Sequence, residues 1–455
     1  MQVVCIDSKG LRICDVEYSS NYNSLESKKW VQITSLQDIR PAQDADFTKL
    51  PILHEGFLDS HMHPSWMAKL LSQIDLNQKP ILQIKDEILS STKEIIYGFG
   101  WNEEFHNIPL EEASEFLDSY LPQNKELYLF RKCGHSAYLS HTAKKKLNIA
   151  HSELIKDDEL HKIPSQKITS LEFIENFQRV LLKLKQEGIS TCCDLLLSGE
   201  DLQRLSNFEE PNFHLQYFGD IHDLELFQEL SRKRTPYVKF FLDGSLGSKS
   251  AWLSSPYNDD PTNKGIQIWR DEDLFRKAKE ALDQNFLVAF HTIGDAALDQ
   301  ALRLGEDLAP QLEKTLNHSS QKLFHRLEHL QVCRDDQIEK IKKQNIWSLG
   351  LQPSHRVADS TFVLKRLGEE RTLKNSYRLK SFLDAGLKVS LGSDAPTVSS
   401  NPLQCLKAST QDPRACEKIS LSQSFELMIR SGRQNTGFEV KNLGPQSRAW
   451  LSNYE

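Results

Sequence analysis

No run of about 18 consecutive apolar residues occurs in the chain, so no transmembrane helix is expected. The opening MQVVCIDSKGLRIC lacks the basic stretch and apolar core of a signal peptide. None of the eight cysteines (Cys5, Cys14, Cys133, Cys192, Cys193, Cys333, Cys405, Cys416) falls in a CxxC pair. They read as free core thiols in a reducing compartment, and the expected location is the cytoplasm. Low-complexity tracts are missing, as is any repeat of 20–50 residues, which sets aside solenoids. Charge of one sign is scarce: 56 Lys and Arg face 63 Asp and Glu, for a net charge of −7. That balance argues against a nucleic-acid or anionic-membrane partner and leaves a small-molecule substrate. What the chain has is core material, with 39% hydrophobic residues, 22 Phe, 11 Tyr and 7 Trp, so disordered, collagen-like and coiled-coil classes are excluded. Its 455 residues amount to about three domain equivalents, or to one large α/β barrel with an appendage.

From Glu55 onward, short β-branched or aromatic runs alternate with longer helical stretches. Eight runs are read as strands: Gly56–His63, Ile189–Leu197, Phe213–Asp220, Tyr237–Ser245, Phe286–Asp295, Leu323–Gln331, Ile346–Pro353 and Leu387–Pro396. RDEDLFRKAKEALDQN, DAALDQALRLGEDLA and RDDQIEKIKKQ are read as helices between the later strands. Eight strands with intervening helices predict an α/β fold, a (β/α)8 TIM-type barrel spanning residues 55–440. An open doubly wound sheet is the alternative. About 125 residues separate the first two strands, more than a crossover helix needs. Residues 64–164, which carry strand-like EIIYGFGW and ELYLFRKCG, are therefore expected to form an inserted subdomain over the barrel mouth. Residues 1–54 and 441–455 are expected to form a small accessory β unit.

His61-x-His63 ends the first strand. Side chains two apart on a strand point the same way, so both imidazoles can face one point at the mouth, where barrels carry their active sites. Lys239 stands in the apolar strand YVKFFLDGS. A buried ammonium must pair, lose its proton or be modified, and carboxylation by CO2 would make it an anionic ligand able to bridge two metals. His291 and His329 close the fifth and sixth strands, and Asp394 closes the eighth. Singly, each has an ordinary explanation as a core histidine or turn aspartate. Together they put six such residues at the ends of five strands.

The order HxH, Lys, His, His, Asp is the signature of the amidohydrolase superfamily. The segments EGFLDSHMH, GFGWNEEFHN, CGHSAYLSHTA, VKFFLDGSLGSKSAWLSSPYND, FHTIGDAALDQAL, FHRLEHLQV, LGLQPSH and LGSDAPTVSSNPL resemble its YtcJ-like branch. The resemblance implies a metal-dependent hydrolase of C–N bonds, with N-substituted amide or formamide hydrolysis known in the branch. It implies one metal at His61, His63 and Asp394, a second at His291 and His329, and carboxylated Lys239 between them. Some relatives keep one ion. An imidazole-rich site suits zinc, though iron, manganese or nickel would fit. Asp394 would act as general base and then acid. His135, Arg326 and Gln352 are candidate substrate contacts, with pairing of Arg326 to Glu328 or Asp295 as the alternative. Gln352 and His355 face the mouth if the seventh strand is phased by alternation. A deaminase or cyclic-amide hydrolase would use nearly the same ligands, and a metal-binding regulatory protein without turnover is the competing class.

Two departures from the branch stand out. The C-terminal β region is short, which predicts a reduced accessory unit and a barrel flank covered by a second subunit, in a homodimer. Glu55 also stands where the branch usually has proline before the first-strand glycine.

Overall fold

The computed structural model describes residues 1–19, 30–101, 103–132, 134, 136–149, 155–156, 160, 162–164, 166–227, 236–318, 323–436, 438–443, 445 and 447–452. Two compact units are formed, one by Met1–Pro64 with Leu181–Glu455, the other by Ser65–Val180.

The first unit contains the eight expected strands: β1 (Phe57–Met62), β2 (Ile189–Leu197), β3 (His214–Asp220), β4 (Tyr237–Phe241), β5 (Leu287–Thr292), β6 (His325–His329), β7 (Trp347–Leu351) and β8 (Lys388–Leu391). All are parallel and pair in chain order, as a right-handed series of β–α crossovers requires. The first and last strands meet just past their ends, where Asp394 N–H donates to His61 O (2.6 Å) and His63 N–H to Ala395 O (2.8 Å). Gly392 permits that approach, since a Cβ there would lie 2.5 Å from His61 N.

Intervening helices follow from amphipathic periodicity. Asp271–Asp283 buries Leu274, Ala278, Ala281 and Leu282, one stripe at spacings of three and four. It starts on Asp271, Glu272 and Asp273, which suit the positive end of the helix dipole. Asp335–Gln344 repeats the pattern with Asp335 and Asp336 first and Lys342 and Lys343 last.

Cys193, Leu195, Phe218, Tyr237, Leu287, Ala289 and Leu323 form a buried cluster. By strand alternation Tyr237 shares a face with Lys239, and Leu287 and Ala289 share one with His291. The Lys239 and His291 side chains thus stand on an apolar floor, farther along the same strands.

The terminal segments make a closed five-stranded β barrel in the order Gln2–Asp7, Gly10–Ser19, Trp30–Pro41, Arg448–Ser452, Ile52–His54. Its interior is Val3, Cys5, Cys14, Val16, Val31, Ile33, Leu53, Leu443 and Ala449. In the second unit, Ile74–Asp75, Ile95–Trp101, Glu126–Arg131, Ser136–Leu139 and Ile155–Lys156 form one sheet. Alternation divides its residues: Ile96, Leu127, Leu129 and Tyr138 pack with the helices Ile81–Ser90 and Leu110–Asp118, while Tyr97, Tyr128, Ala137 and Leu139 form a separate cluster. Among the described residues no helix is long and apolar enough to cross a membrane.

Candidate metal centre

Alternation along β1 puts Asp59, His61 and His63 on one face. Asp394 lies three residues beyond β8 in a left-handed conformation (φ 62°), and this turn points its carboxylate back at them. Asp394 Oδ1 is 3.0 Å from His63 Nε2 and 3.2 Å from His61 Nε2. One donor atom from each of His61, His63 and Asp394 lies within 4.8 Å of the others. A second group, His329, His355 and Asp394, meets the same limit.

His329 illustrates how backbone geometry overrides alternation. On β6, His325 faces outward, its Nε2 against the Leu312 carbonyl (3.1 Å) of the helix Ala309–His318. Arg326 and Glu328 face inward, so a regular His329 would point out with His325. Instead His329 and Leu330 both have positive φ (77° and 47°), a region that non-glycine residues seldom adopt. The reversal brings the His329 ring to 4.3 Å from that of His291 and 4.7 Å from that of His61, centroid to centroid. Burial, and then the neighbouring His291 and His61, hold His329 well below the usual imidazole range, so it is neutral at pH 7.

Lys239 is 1% exposed, and its Nζ has no hydrogen-bond partner among the described residues. Burial lowers it to about 8, against the opposing pull of Glu328 and Asp394. His291 stands beside His329, but its Nε2 contacts Gly244 O (3.2 Å) and it joins neither group of converging donors.

Behind the histidines lies a buried ion pair. Glu328 takes the Nδ1 hydrogen of His61 on Oε2 (2.7 Å) and Arg326 Nε on Oε1 (2.5 Å). Burial alone would raise the Glu328 carboxyl, but Arg326, His61 and Lys239 outweigh it and keep Glu328 ionised. With Nδ1 committed as donor, the Nε2 lone pair of His61 is left for a cation, the usual division in ligating histidines. Gly350 on β7 makes the space, because a Cβ there would sit 1.9 Å from Glu328 Oε2 and 2.6 Å from Arg326 Nη2.

The donor set fits a divalent cation. Imidazoles and a carboxylate converge at the carboxyl ends of the strands, and two buried polar atoms beside them, Lys239 Nζ and His329 Nδ1, lack hydrogen-bond partners among the described residues.

The expected substrate contacts fare differently. Arg326 is fully buried and pairs with Glu328, the alternative partner expected from the sequence, and with the Ser60 carbonyl (3.1 Å), while its Nη1 has no hydrogen-bond partner among the described residues. Gln352 donates from Nε2 to Gly350 O (2.9 Å), while its buried Oε1 has no hydrogen-bond partner among the described residues. It lines a cavity together with His329, Leu351, Arg356, Tyr377 and Phe382. His135 lies outside the described residues. Sequence reasoning did not find Glu328 as the holder of His61, or His355 and Thr397 as partners of Asp394. One signal was present for Glu328: it is spaced two residues from Arg326, and adjacent Glu328 and His329 cannot both face inward on a regular strand.

A (β/α)8 barrel with this cluster at its strand ends defines a class, the barrel hydrolases built around a metal centre. The sequence profile of the Amidohydrolase family matches residues 56–433. The chain belongs to that family and is a metal-dependent hydrolase of carbon–nitrogen bonds. It is 28% identical over 395 residues to YtcJ of Bacillus subtilis (strain 168), whose name places it among amidohydrolases; the match covers 77% of this chain and 72% of that protein. It is 27% identical over 414 residues to the Arabidopsis thaliana protein LONG AFTER FAR-RED 3, covering 79% and 68% respectively. An uncharacterized metal-dependent hydrolase from Pyrococcus horikoshii OT3 matches with a TM-score of 0.73 at 21% identity, covering 93% of this chain and 94% of that one. Its counterpart from Pyrococcus furiosus gives 0.68 at 22%, covering 92% and 97%. At these identities the structural likeness concerns the fold.

Proposed function

We propose that the substrate is a small organic amide, of N-substituted amide or formamide type, cleaved at a centre in which His61, His63 and Asp394 hold a divalent cation, zinc by preference. The observation that carries this reading is the convergence of those three donors on the carboxyl-terminal face of the barrel. His291 and His329 would hold a second ion, with carboxylated Lys239 between the two metals. There Nζ, as the neutral amine, bonds to the carbon of CO2 and releases one proton, which leaves an anionic carbamate in place of an unpaired ammonium.

A zinc ion held by His61, His63 and Asp394 would, when bound, supply an acidified water and polarise the substrate carbonyl. Asp394 accepts the proton of the attacking water and returns it to the leaving nitrogen, so that water and amide become carboxylic acid and amine. Gln352 offers its free Oε1 to a substrate N–H in the cavity beside His329.

The test starts with metal content, by plasma mass spectrometry, of protein purified without chelator and with bicarbonate present. A panel of N-substituted amides and formamides follows, with the products identified. Zinc together with a carboxylic acid (formate, for a formamide) and an amine is the expected result. Ammonia as the product would overturn this reading in favour of deamination. Asp394→Asn should lower turnover by about 100- to 10,000-fold, the usual worth of a general base, and full activity in that variant would overturn the role. Lys239→Ala should lose bound metal and regain part of its activity with short-chain carboxylic acids. Unchanged metal content there would remove the bridging role.

A further inference from the structure

The two oxygens of Asp394 have different neighbours. Oδ1 faces His61 and His63. Oδ2 is 3.0 Å from His355 Nε2 and 3.0 Å from Thr397 Oγ1. His355 belongs to the short helix Pro353–Ala358, entered directly from β7 through Gln352 and Pro353. Thr397 lies in the turn beyond Asp394, where its N–H also donates to the Asp394 carbonyl (3.0 Å). A carboxylate only accepts hydrogen bonds, so Nε2 of His355 donates to Oδ2, while the single hydroxyl hydrogen of Thr397 is shared between Oδ2 and the Asp394 carbonyl, which Oγ1 also approaches.

We propose that His355 is a positioning residue for the metal centre, fixing Oδ2 so that Oδ1 stays turned toward His61 and His63. The inference rests on the reading of Asp394 as a ligand. A carboxylate on a single Cβ–Cγ bond can rotate and exchange its oxygens. Two donors from separate elements, one after β7 and one after β8, oppose that rotation. His61 and Asp394 then share one design: each presents one atom to the cation while a buried or partly buried partner holds the other, Glu328 on Nδ1 and His355 on Oδ2. Such outer partners are typically worth about 10- to 100-fold in metal affinity.

The experiment is zinc affinity and stoichiometry by chelator competition, on full-length protein stripped and reloaded with zinc alone. His355→Ala should keep the wild-type number of zinc ions at saturation but bind them about 10- to 100-fold more weakly. His355→Gln, whose amide N–H2 can take the place of Nε2, should recover most of that loss. If His355→Ala fails to fold, Thr397→Val removes the second donor and should show the same effect at smaller size. Wild-type affinity in the alanine variant, or equal weakness in the alanine and glutamine variants, overturns the proposal. Loss of a whole zinc equivalent in His355→Ala also overturns it, because His355 would then be a ligand. A wild-type chain that takes up no zinc overturns the reading of His61, His63 and Asp394 as a zinc site and this inference together, whereas normal uptake with an unaffected His355→Ala overturns this inference alone.

Discussion

A missing methyl group decides the position of His61. Gly350 has no Cβ, and Glu328 occupies that space to hold His61 Nδ1. Gly350→Ala should therefore push the Glu328 carboxylate away and cost about 1–3 kcal/mol through overpacking. Because His61 loses its partner, metal affinity should fall by about 10- to 100-fold. In a Glu328→Ala background the added methyl no longer meets the carboxylate, although Arg326 Nη2 still lies 2.6 Å from it, so its effect on stability should shrink, and a double-mutant cycle by thermal melting and chelator competition measures this coupling. A Gly350→Ala variant with unaltered metal binding would show that Glu328 does not act through His61. The residue types at the centre were legible in the sequence because each stands in or just beyond an apolar strand. Their partners were not. Which imidazole meets Glu328 or Asp394 depends on barrel register and on left-handed backbone at His329, Leu330 and Asp394, and no residue spacing records either, although the spacing of two between Arg326 and Glu328 did make their pairing readable.

Among the elements, β6 carries the most. Its inward face bears Arg326 and Glu328, and its outward face bears His325, which is fully buried and binds two elements at once. His325 Nδ1 accepts Val288 N–H of β5 (3.1 Å), and Nε2–H donates to Leu312 O (3.1 Å). Burial lowers its pKa to about 4 from 6.5, and its acceptor lone pair is already in use. Below pH 6.5 the unfolded chain takes up a proton that the folded chain refuses until about pH 4. Stability is thus lost as pH falls through that window, by about 3 kcal/mol in full from this one group. His325→Gln should be less stable at pH 7, yet its denaturant midpoint should fall less between pH 6.5 and 4. A parallel fall in both proteins would show that His325 does not titrate on unfolding. All eight strands were readable as β-branched or aromatic runs, but several end earlier than the runs do. β4 stops at Phe241, and Asp243 leaves the ladder to accept the N–H groups of Trp252 (2.9 Å), Ile293 (3.1 Å) and Gly294 (2.7 Å). Such capping of loop amides by a side chain leaves no periodic trace.

For the whole molecule, the proposed ligands come from the first and last strands, at the place where those strands meet. A cation bound to the native state alone stabilises it by about 2.7 kcal/mol at a hundred times its dissociation constant. Zinc should accordingly raise the melting temperature of the wild-type chain by a few degrees and that of Asp394→Asn by less, as calorimetry with and without chelator would show. Equal shifts in the two proteins would place the stabilising ion elsewhere. His63 and Asp394 are 331 positions apart in the chain, yet they touch at 3.0 Å across the seam that Gly392 keeps narrow. A metal seated there is a clasp. It fastens the ends of a loop that contains nearly the whole barrel, and a folding intermediate with β1 and β8 still apart would hold two of the three proposed ligands on one side and one on the other. Uptake of an ion by this proposed site would therefore report that the ring has closed.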